Sequence, residues 1–229
     1  MATATKAPRG ALRTARTADE NRLAMRNAGV FALCLVGGPG CGKSTLVRQT
    51  LERLPGSVRV KVIVGGDCDA DDASRGNRTP DPRLVYAEGP AQWLDAAAVG
   101  EALATLDLAS LDLVLIENVG TLTLPADRRD LGQDATVTVF SVAAGDDKAR
   151  KHHDLVAASD AVVLNKIDLL PAVPFDLAAF RRDVARANPS AALFEVGALG
   201  GRGLEPWMNW LRARVHKECG CSDVSHWFG

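Results

Sequence analysis

Eight residues near the start of the chain have the types and spacing of a phosphate-binding loop. Residues 37–44 read Gly-Gly-Pro-Gly-Cys-Gly-Lys-Ser, which fits the pattern G-x-x-x-x-G-K-[ST] between an apolar run at 30–36 and a helix-forming run at 44–54. The glycines let successive main-chain amides turn toward one anion, and the following helix adds the positive end of its dipole. The residues predicted to contact a nucleotide here are Gly38, Pro39, Gly40, Cys41, Gly42, Lys43, Ser44 and Thr45.

Two side chains of this loop have predicted roles of their own. Lys43 would place its charge on the β- and γ-phosphates, and the Ser44 hydroxyl would bind Mg²⁺. The alternative is a glycine-rich turn that matches the pattern by chance. The strand and helix signals on either side disfavour that alternative.

A second element, Asn165-Lys166-Ile167-Asp168, follows the apolar run 161–164 and matches N-K-x-D, the base-reading motif of GTPases. The Asp168 carboxylate would accept hydrogen bonds from N1–H and the 2-amino group of guanine, whereas adenine offers neither donor and would leave a buried carboxylate unpaired. This predicts GTP rather than ATP. The alternative is a helix cap after a core strand. Near the end of the chain, Ala198 and Leu199 follow another strand signal, where main-chain amides would close over the base.

Acidic residues at two predicted strand ends are candidates for binding Mg²⁺. Glu117 follows the apolar run 113–116, with Gly120 three positions on, and Asp67 follows the strand signal at 58–64. A carboxylate there can hold Mg²⁺ or its water, and a glycine amide can approach the γ-phosphate closely. We therefore predict Lys43, Asp67 and Glu117 as catalytic residues, and Ser44, Asp67 and Glu117 as Mg²⁺ ligands. The alternative for Glu117 is a turn cap, and the aspartates after Asp67 read as a solvated acidic surface.

Strand and helix signals alternate along the chain that must position these residues. Short apolar runs at 31–36, 58–64, 83–86, 111–116, 136–142, 161–164 and 192–196 predict strands, and the patterns at 12–27, 43–54, 91–106, 147–157, 176–187 and 204–215 predict helices. Such alternation indicates an α/β fold, a mostly parallel β-sheet flanked by helices, in which ligands bind at the carboxyl ends of the strands. We predict one domain at 12–216, a flexible tail at 1–11 and a tail containing Cys and His at 217–229.

Composition narrows the class of protein. The chain has 229 residues, 47% of them hydrophobic, and 27 Lys plus Arg against 28 Asp plus Glu, a net charge of −1. This is enough for one substantial core, and the charge balance favours neither a nucleic-acid nor a membrane partner. Five cysteines form an odd set, and we expect them to be reduced, so a cytoplasmic location is predicted. We find no signal-peptide pattern and no run of about 18 apolar residues.

Three strings of sequence carry a resemblance to a known family. With Glu-Asn-Val-Gly at 117–120, Phe-Ser-Val-x-x-Gly-Asp-Asp-Lys at 140–148 and Leu-Asn-Lys-Ile-Asp-Leu-Leu-Pro at 164–171, the chain resembles the hydrogenase nickel-incorporation GTPases of the HypB type, and more distantly the urease accessory GTPases, in the SIMIBI class of P-loop NTPases. The resemblance implies a homodimer promoted by GTP, slow GTP hydrolysis with Mg²⁺, and nickel insertion into the large subunit of a nickel-iron hydrogenase together with other maturation proteins. Lys148 is predicted to face a nucleotide or a partner subunit, with a solvated lysine as the alternative.

The chain departs from this family at the expected metal ligands. Where the family has Cys-His before Leu-Asp-Ala, this chain has Gln92-Trp93, and Leu124 stands where another cysteine is usual. The tail offers Cys219, Cys221 and His226, together with His216, as a replacement site for Ni²⁺ or Zn²⁺; a tail with incidental cysteines is the alternative. The pair at 152–153, His-His, reads as solvated rather than as a metal site.

Three classes of function therefore follow from the sequence. The first is a GTP-hydrolysing metallochaperone for hydrogenase maturation, with metal binding moved to the tail. The second is a regulatory or scaffold GTPase of the same fold that has lost metal handling. The third, a small-molecule kinase using the same phosphate loop, predicts a preference for ATP, which the Asn165–Asp168 element argues against.

Overall fold

The computed structural model describes residues 17–65, 81–87, 94–118, 122–123 and 129–219. Its strands are β1 Phe31–Gly37, β2 Val60–Gly65, β3 Leu84–Ala87, β4 Leu113–Glu117, β5 Ala135–Ser141, β6 Ala161–Asn165 and β7 Ala192–Val196. Its helices are α1 Ala18–Asn27, α2 Lys43–Arg53, α3 Ala96–Ala104, α4 Lys148–Lys151, α5 His153–Ala157, α6 Leu177–Ala187 and α7 Leu204–Cys219. Each predicted strand is present, and no strand end lies more than two residues from its predicted position.

The strands form one parallel sheet in the order β3-β2-β4-β1-β5-β6-β7. The strand that precedes the phosphate-loop pattern, β1, lies at the centre between β4 and β5. Because all strands run in one direction, the segments that follow β1, β4, β5, β6 and β7 emerge at the same edge of the sheet. We call this the carboxyl edge. The predicted α/β class is confirmed, and the fold brings the candidate residues to one side.

Helices cover both faces of the sheet, as the apolar runs of its strands require. In β1, Phe31, Leu33 and Leu35 pack on the same side as α2 and α7, whereas Ala32 and Cys34 pack on the side of α1 and α3. Helices α4, α5 and α6 cover strands β5 and β6 through a third apolar cluster. In the part of the chain that the structure describes, no helix is long and apolar enough to cross a bilayer.

One pair of side chains fastens helix α7 to helix α2. The indole N–H of Trp207 donates to the Thr50 hydroxyl at 2.9 Å, and that hydroxyl donates to the Leu46 carbonyl at 2.8 Å. Trp207 is also stacked on Trp210, with ring centroids 5.5 Å apart. The helix that begins at the phosphate loop is therefore held to the C-terminal helix by a buried polar contact within an aromatic cluster.

Three aspartates fasten the opposite, amino-terminal edge of the sheet. Their carboxylates accept main-chain N–H groups at or beside the starts of neighbouring strands, and each also pairs with an arginine. The main-chain contacts are Asp112 with Arg59 at 2.8 Å, Asp134 with Ala32 at 3.0 Å, and Asp160 with Thr136 at 3.0 Å. Charge-assisted bonds of this kind are stronger than neutral ones. They therefore fix the amino-terminal edge through contacts that involve no residue of the carboxyl edge.

The helices differ from the sequence prediction in four places. Helix α1, predicted from residue 12, begins at Ala18, where the Thr17 side chain caps it by accepting the Glu20 amide at 3.3 Å. The helix predicted at 147–157 is two short helices, because His152 has φ −113° and ψ 42° and interrupts the α-helical backbone. Helix α3 begins at Ala96, where the Asp95 side chain accepts the Ala98 amide at 2.8 Å; residues 91–93 of the predicted helix lie outside the described residues. Helix α7 continues to Cys219, four residues beyond its predicted end at 215.

Candidate nucleotide-binding site

The phosphate-loop residues 37–44 join β1 directly to α2. Gly40 has φ +68° and Gly42 has φ +93°, the left-handed region that glycine adopts without a steric penalty. Gly42 is the residue immediately before helix α2, so the main chain turns there and the first amides of the helix face the loop. The loop therefore has the backbone that an anion cradle needs, and its glycines are explained by that backbone.

Lys43 lies folded back over this loop. Its ammonium donates to the Gly37 carbonyl at 2.9 Å, and the residue is only 6% exposed. A buried ammonium needs a polar partner, and here the partner is a main-chain oxygen of the loop itself. A phosphate oxygen that enters the loop would offer this cation a second, negatively charged acceptor.

Ser44, in the first turn of helix α2, and Glu117, at the end of strand β4, bring two oxygen atoms together. The Ser44 hydroxyl donates to Glu117 Oε1 at 2.5 Å, and Glu117 is buried at the last position of β4. Hydroxyl and carboxylate oxygens are the hard donors that Mg²⁺ prefers, so this pair fits that ion. The other predicted ligand, Asp67, and the glycine at 120 lie outside the described residues.

Asn165 connects the phosphate loop to both segments that would hold a base. Its Nδ2 donates to the carbonyl of Cys41 at 3.0 Å, and its Oδ1 accepts the amides of Lys166 at 2.7 Å and of Ala198 at 3.1 Å. The contact is close: a Cβ at Gly42 would lie 2.3 Å from Nδ2. The N-K-x-D element and the phosphate loop thus form one hydrogen-bonded unit, although 124 positions separate Asn165 from Cys41.

Lys166 and Asp168 form the rim beyond Asn165. Lys166 has φ 62° and ψ 37°, and it is the one residue other than glycine with positive φ in the described ranges. Asp168 lies in the following 3-10 turn, with Oδ1 3.0 Å from where a Cβ at Gly197 would be. Asp168 is exposed at the middle of this turn, Ile167–Leu169, so its carboxylate is open to solvent, and its contact with a guanine base stays a prediction.

The two residues predicted to close over the base have opposite environments. Ala198 is buried, and its amide donates to Asn165. Leu199 is 78% exposed at the middle of the turn Ala198–Gly200. Leu199 therefore presents an apolar side chain on the same rim as Asp168.

A cavity of about 140 Å³ opens beside the phosphate loop. It is lined by residues 38–41 of the loop, by the end of β5 with the turn after it, by Leu122 and by Lys148. Lys148 is half-buried at the first position of α4. The structure thus brings Lys148 to the phosphate-loop side of the molecule, one of the two environments predicted for it.

Burial sets the state of the two cysteines near the loop. It raises the pKa of Cys34 to about 12, and it raises the pKa of Cys41 despite the opposing charge of Lys43. Both thiols are therefore protonated at neutral pH and poorly suited to bind metal.

Of the three metal ligands predicted in the tail, two lie outside the described residues. Cys219 is the last residue of α7, while Cys221 and His226 lie outside the described residues, as do Gln92, Trp93 and Leu124. Within the described ranges, no group of three or more His, Cys, Asp and Glu side chains could hold a metal ion.

Sequence reasoning did not identify Asn118 as a site residue. It follows Glu117, is fully buried, and its Oδ1 accepts the Leu94 amide at 3.1 Å. The available signal was an amide side chain directly after a continuous apolar strand, where a buried polar group must have a partner.

Comparison with known proteins agrees with this geometry. A family model described as the CobW/HypB/UreG nucleotide-binding domain matches residues 31–195. The chain is 38% identical to the hydrogenase maturation factor HypB of Escherichia coli over 200 residues, which is 85% of this chain and 69% of that protein. It is 40% identical to HypB of Azotobacter vinelandii over 209 residues, covering 87% of this chain and 68% of the relative.

Solved structures give the same assignment. The crystal structure of HypB from Archaeoglobus fulgidus superposes with a TM-score of 0.77 at 33% identity, covering 86% of this chain and 96% of that one. HypB from Helicobacter pylori, solved in complex with nickel, has a TM-score of 0.74 at 24% identity, covers 90% and 99%, and shares the fold. The chain therefore belongs to the HypB family of hydrogenase maturation factors, within the CobW/HypB/UreG group of nucleotide-binding proteins.

Proposed function

We propose that this chain binds GTP with Mg²⁺, hydrolyses it slowly, and uses the nucleotide cycle to deliver nickel during maturation of a nickel-iron hydrogenase. The observation that carries the GTP assignment is the Asn165 bridge, which fixes the N-K-x-D element and the phosphate loop as one unit. In this unit the loop amides and Lys43 hold the phosphates, and Asp168 accepts the N1–H and 2-amino hydrogens of guanine.

At the phosphate end of the site, some residues would bind Mg²⁺ and one lysine would contact the phosphate oxygens. Ser44 and Glu117, already 2.5 Å apart, would hold Mg²⁺, with Asp67 as the third predicted ligand. When bound, Mg²⁺ neutralises charge on the β- and γ-phosphates. Lys43, released from the Gly37 carbonyl, adds its charge to the same oxygens. The sequence motifs of the site include no glutamine that would orient the attacking water, so we propose that hydrolysis is slow.

Nickel delivery is supported by family membership. We propose that the chain forms a homodimer when GTP is bound, and that it acts with other maturation proteins on the hydrogenase large subunit in the cytoplasm. The nickel or zinc site is proposed in the tail, at Cys219, Cys221 and His226. A GTPase that has kept the nucleotide cycle but lost metal handling is the alternative, because Gln92-Trp93 replaces the ligands expected before Leu94.

Nucleotide hydrolysis is tested with two lysines that each donate to a main-chain carbonyl at 2.9 Å. Lys43→Met should lower the rate of GTP hydrolysis by about 100-fold or more, since it removes a transition-state charge. Lys61→Met is the control, because the Lys61 ammonium also donates to a main-chain carbonyl at 2.9 Å, but on β2 at the surface. Equal loss in both variants, or faster hydrolysis of ATP than of GTP by the unaltered protein, would contradict the proposal.

Metal handling is tested separately by equilibrium dialysis of the full chain against Ni²⁺ and Zn²⁺. The double variant Cys219→Ser/Cys221→Ser should lose the bound metal, while Cys34→Ala, which removes a buried protonated thiol, should keep it. Unchanged stoichiometry in the double variant would exclude the tail site. No metal bound by any variant, with GTP hydrolysis intact, would favour the regulatory or scaffold GTPase.

A further inference from the structure

Asn118 joins the end of β4 to the segment that leads into α3. Its main-chain amide donates to the Leu35 carbonyl at 3.0 Å, which continues the β4–β1 ladder one residue past Glu117. Its side-chain oxygen accepts the Leu94 amide at 3.1 Å, two residues before α3 begins. Both residues are fully buried, so this contact is shielded from water.

Leu94 in turn covers the end of β2. A Cβ at Gly65 would lie 2.2 Å from Leu94 Cγ, so the side chain fills the space that only a glycine leaves open. Gly65 is two residues before Asp67, and Val64 is the register partner of Glu117. Leu94 and Asn118 therefore connect the two strand ends that carry the predicted Mg²⁺ carboxylates.

We infer that Asn118 is a positioning residue that couples the segment after Glu117 to helix α3. This inference rests on the proposed nucleotide function. When a γ-phosphate changes the main chain after Glu117, Asn118 moves with it, and the buried hydrogen bond to Leu94 carries that change to the first turn of α3. A buried bond suits this role because breaking it leaves the Leu94 amide without a partner. Helix α3 thus becomes the part of the surface that reports which nucleotide is bound.

The test compares amide hydrogen exchange in the first turn of α3, residues 96–99, with GDP and with a non-hydrolysable GTP analogue. In the unaltered protein we expect the two nucleotides to change the exchange rate by about fivefold, the size of one hydrogen bond. Asn118→Leu, which keeps the volume but removes the acceptor, should abolish that difference. It should also lower kcat for GTP several-fold with KM little changed, because the loop amides that bind GTP in the ground state are untouched.

Two further variants separate coupling from stability. Asn21→Leu is the matched control: Asn21 is equally buried and donates to the Ala96 carbonyl at 2.7 Å, at the start of the same helix, but it belongs to α1. It should lower stability while leaving the nucleotide difference in place. Gly65→Ala displaces Leu94 by placing a methyl group against its side chain, and it should reproduce the effect of Asn118→Leu. It therefore keeps the inference testable if Asn118→Leu folds poorly.

The outcomes distinguish this inference from the proposed function. If calorimetry detects no GTP binding to the unaltered protein, the proposed function fails and the inference fails with it. If GTP binds and is hydrolysed but exchange at 96–99 is the same with both nucleotides, only the inference is overturned. It is also overturned if Asn118→Leu and Gly65→Ala keep the nucleotide difference, or if Asn21→Leu removes it.

Discussion

Replacing Asp168 by asparagine would exchange one hydrogen-bond acceptor for a donor at the proposed base site. Guanine presents N1–H and a 2-amino group, and the carboxylate can accept from both. An asparagine side chain can still accept from N1–H, but its own NH₂ then faces the 2-amino group. Xanthine, which has N1–H and a 2-oxo group, matches this arrangement instead.

The expected loss of GTP affinity follows from the one charged hydrogen bond that this variant removes. Such bonds contribute about 1.5 to 3 kcal/mol, so GTP affinity should fall roughly 10- to 150-fold. Because Asp168 is exposed, water competes for its oxygens and the lower half of that range is expected. Xanthosine triphosphate should move in the opposite direction, since the 2-oxo group no longer faces a carboxylate.

The assay is calorimetric titration of Asp168→Asn with GTP, ATP and xanthosine triphosphate in Mg²⁺ buffer. Asp176→Asn is the control. Asp176 is also exposed and follows the same strand, but it caps α6 by accepting the Ala179 amide at 2.8 Å, and asparagine caps equally well. If Asp168→Asn keeps its preference for GTP over xanthosine triphosphate, Asp168 does not read the base and the GTP assignment loses its chemical basis.

Three other predictions follow from buried groups. Thr50→Val and Trp207→Phe should each lower the free energy of unfolding by at least about 1 kcal/mol in urea titrations, and a double-mutant cycle should give a coupling of similar size; additive effects would mean that the 2.9 Å bond contributes nothing. Cys34, whose pKa is raised to about 12 by burial, has about a thousandfold less thiolate than a free cysteine; we therefore expect iodoacetamide to label it only after denaturation, and rapid labelling of the folded protein would contradict this. Burial, and then the nearby Lys148, lowers the pKa of His152, so as the pH falls the unfolded chain takes up this proton at a higher pH than the folded chain does. Stability should therefore decrease from pH 7.5 to 5.5, and His152→Gln should reduce that decrease; an unchanged slope in this variant would refute the assignment.

The fold and the placement of the nucleotide motifs could be predicted from sequence because their causes are local. Gly40 and Gly42 have positive φ, a conformation that glycine adopts because it has no side chain. The central strand β1 is a continuous apolar run. Parallel strands then bring residues as distant as Cys41 and Asn165 to one edge. The fold class, and the meeting of these two motifs at one edge of the sheet, therefore followed from periodicity and motif spacing.

The contacts that complete the site could not be predicted in this way. The bond between Asn118 and Leu94 depends on how α3 packs against the end of β2, which no local pattern encodes. The break at His152 interrupts the helical pattern predicted at 147–157, and no Gly or Pro in that pattern marks it. The exposure of Asp168 likewise depends on the 3-10 turn that follows β6 rather than on the motif.

The three aspartates at the amino-terminal edge give the sheet two unlike rims. One rim is clamped, since carboxylates such as that of Asp134, only 7% exposed, anchor adjoining strands through their first amides. The other rim consists of glycines, short turns and Lys43, whose ammonium can exchange the Gly37 carbonyl for another oxygen acceptor. We therefore expect the strand register to persist when a ligand is captured or released, because the anchored rim lies on the side of the sheet opposite the segments that would contact that ligand.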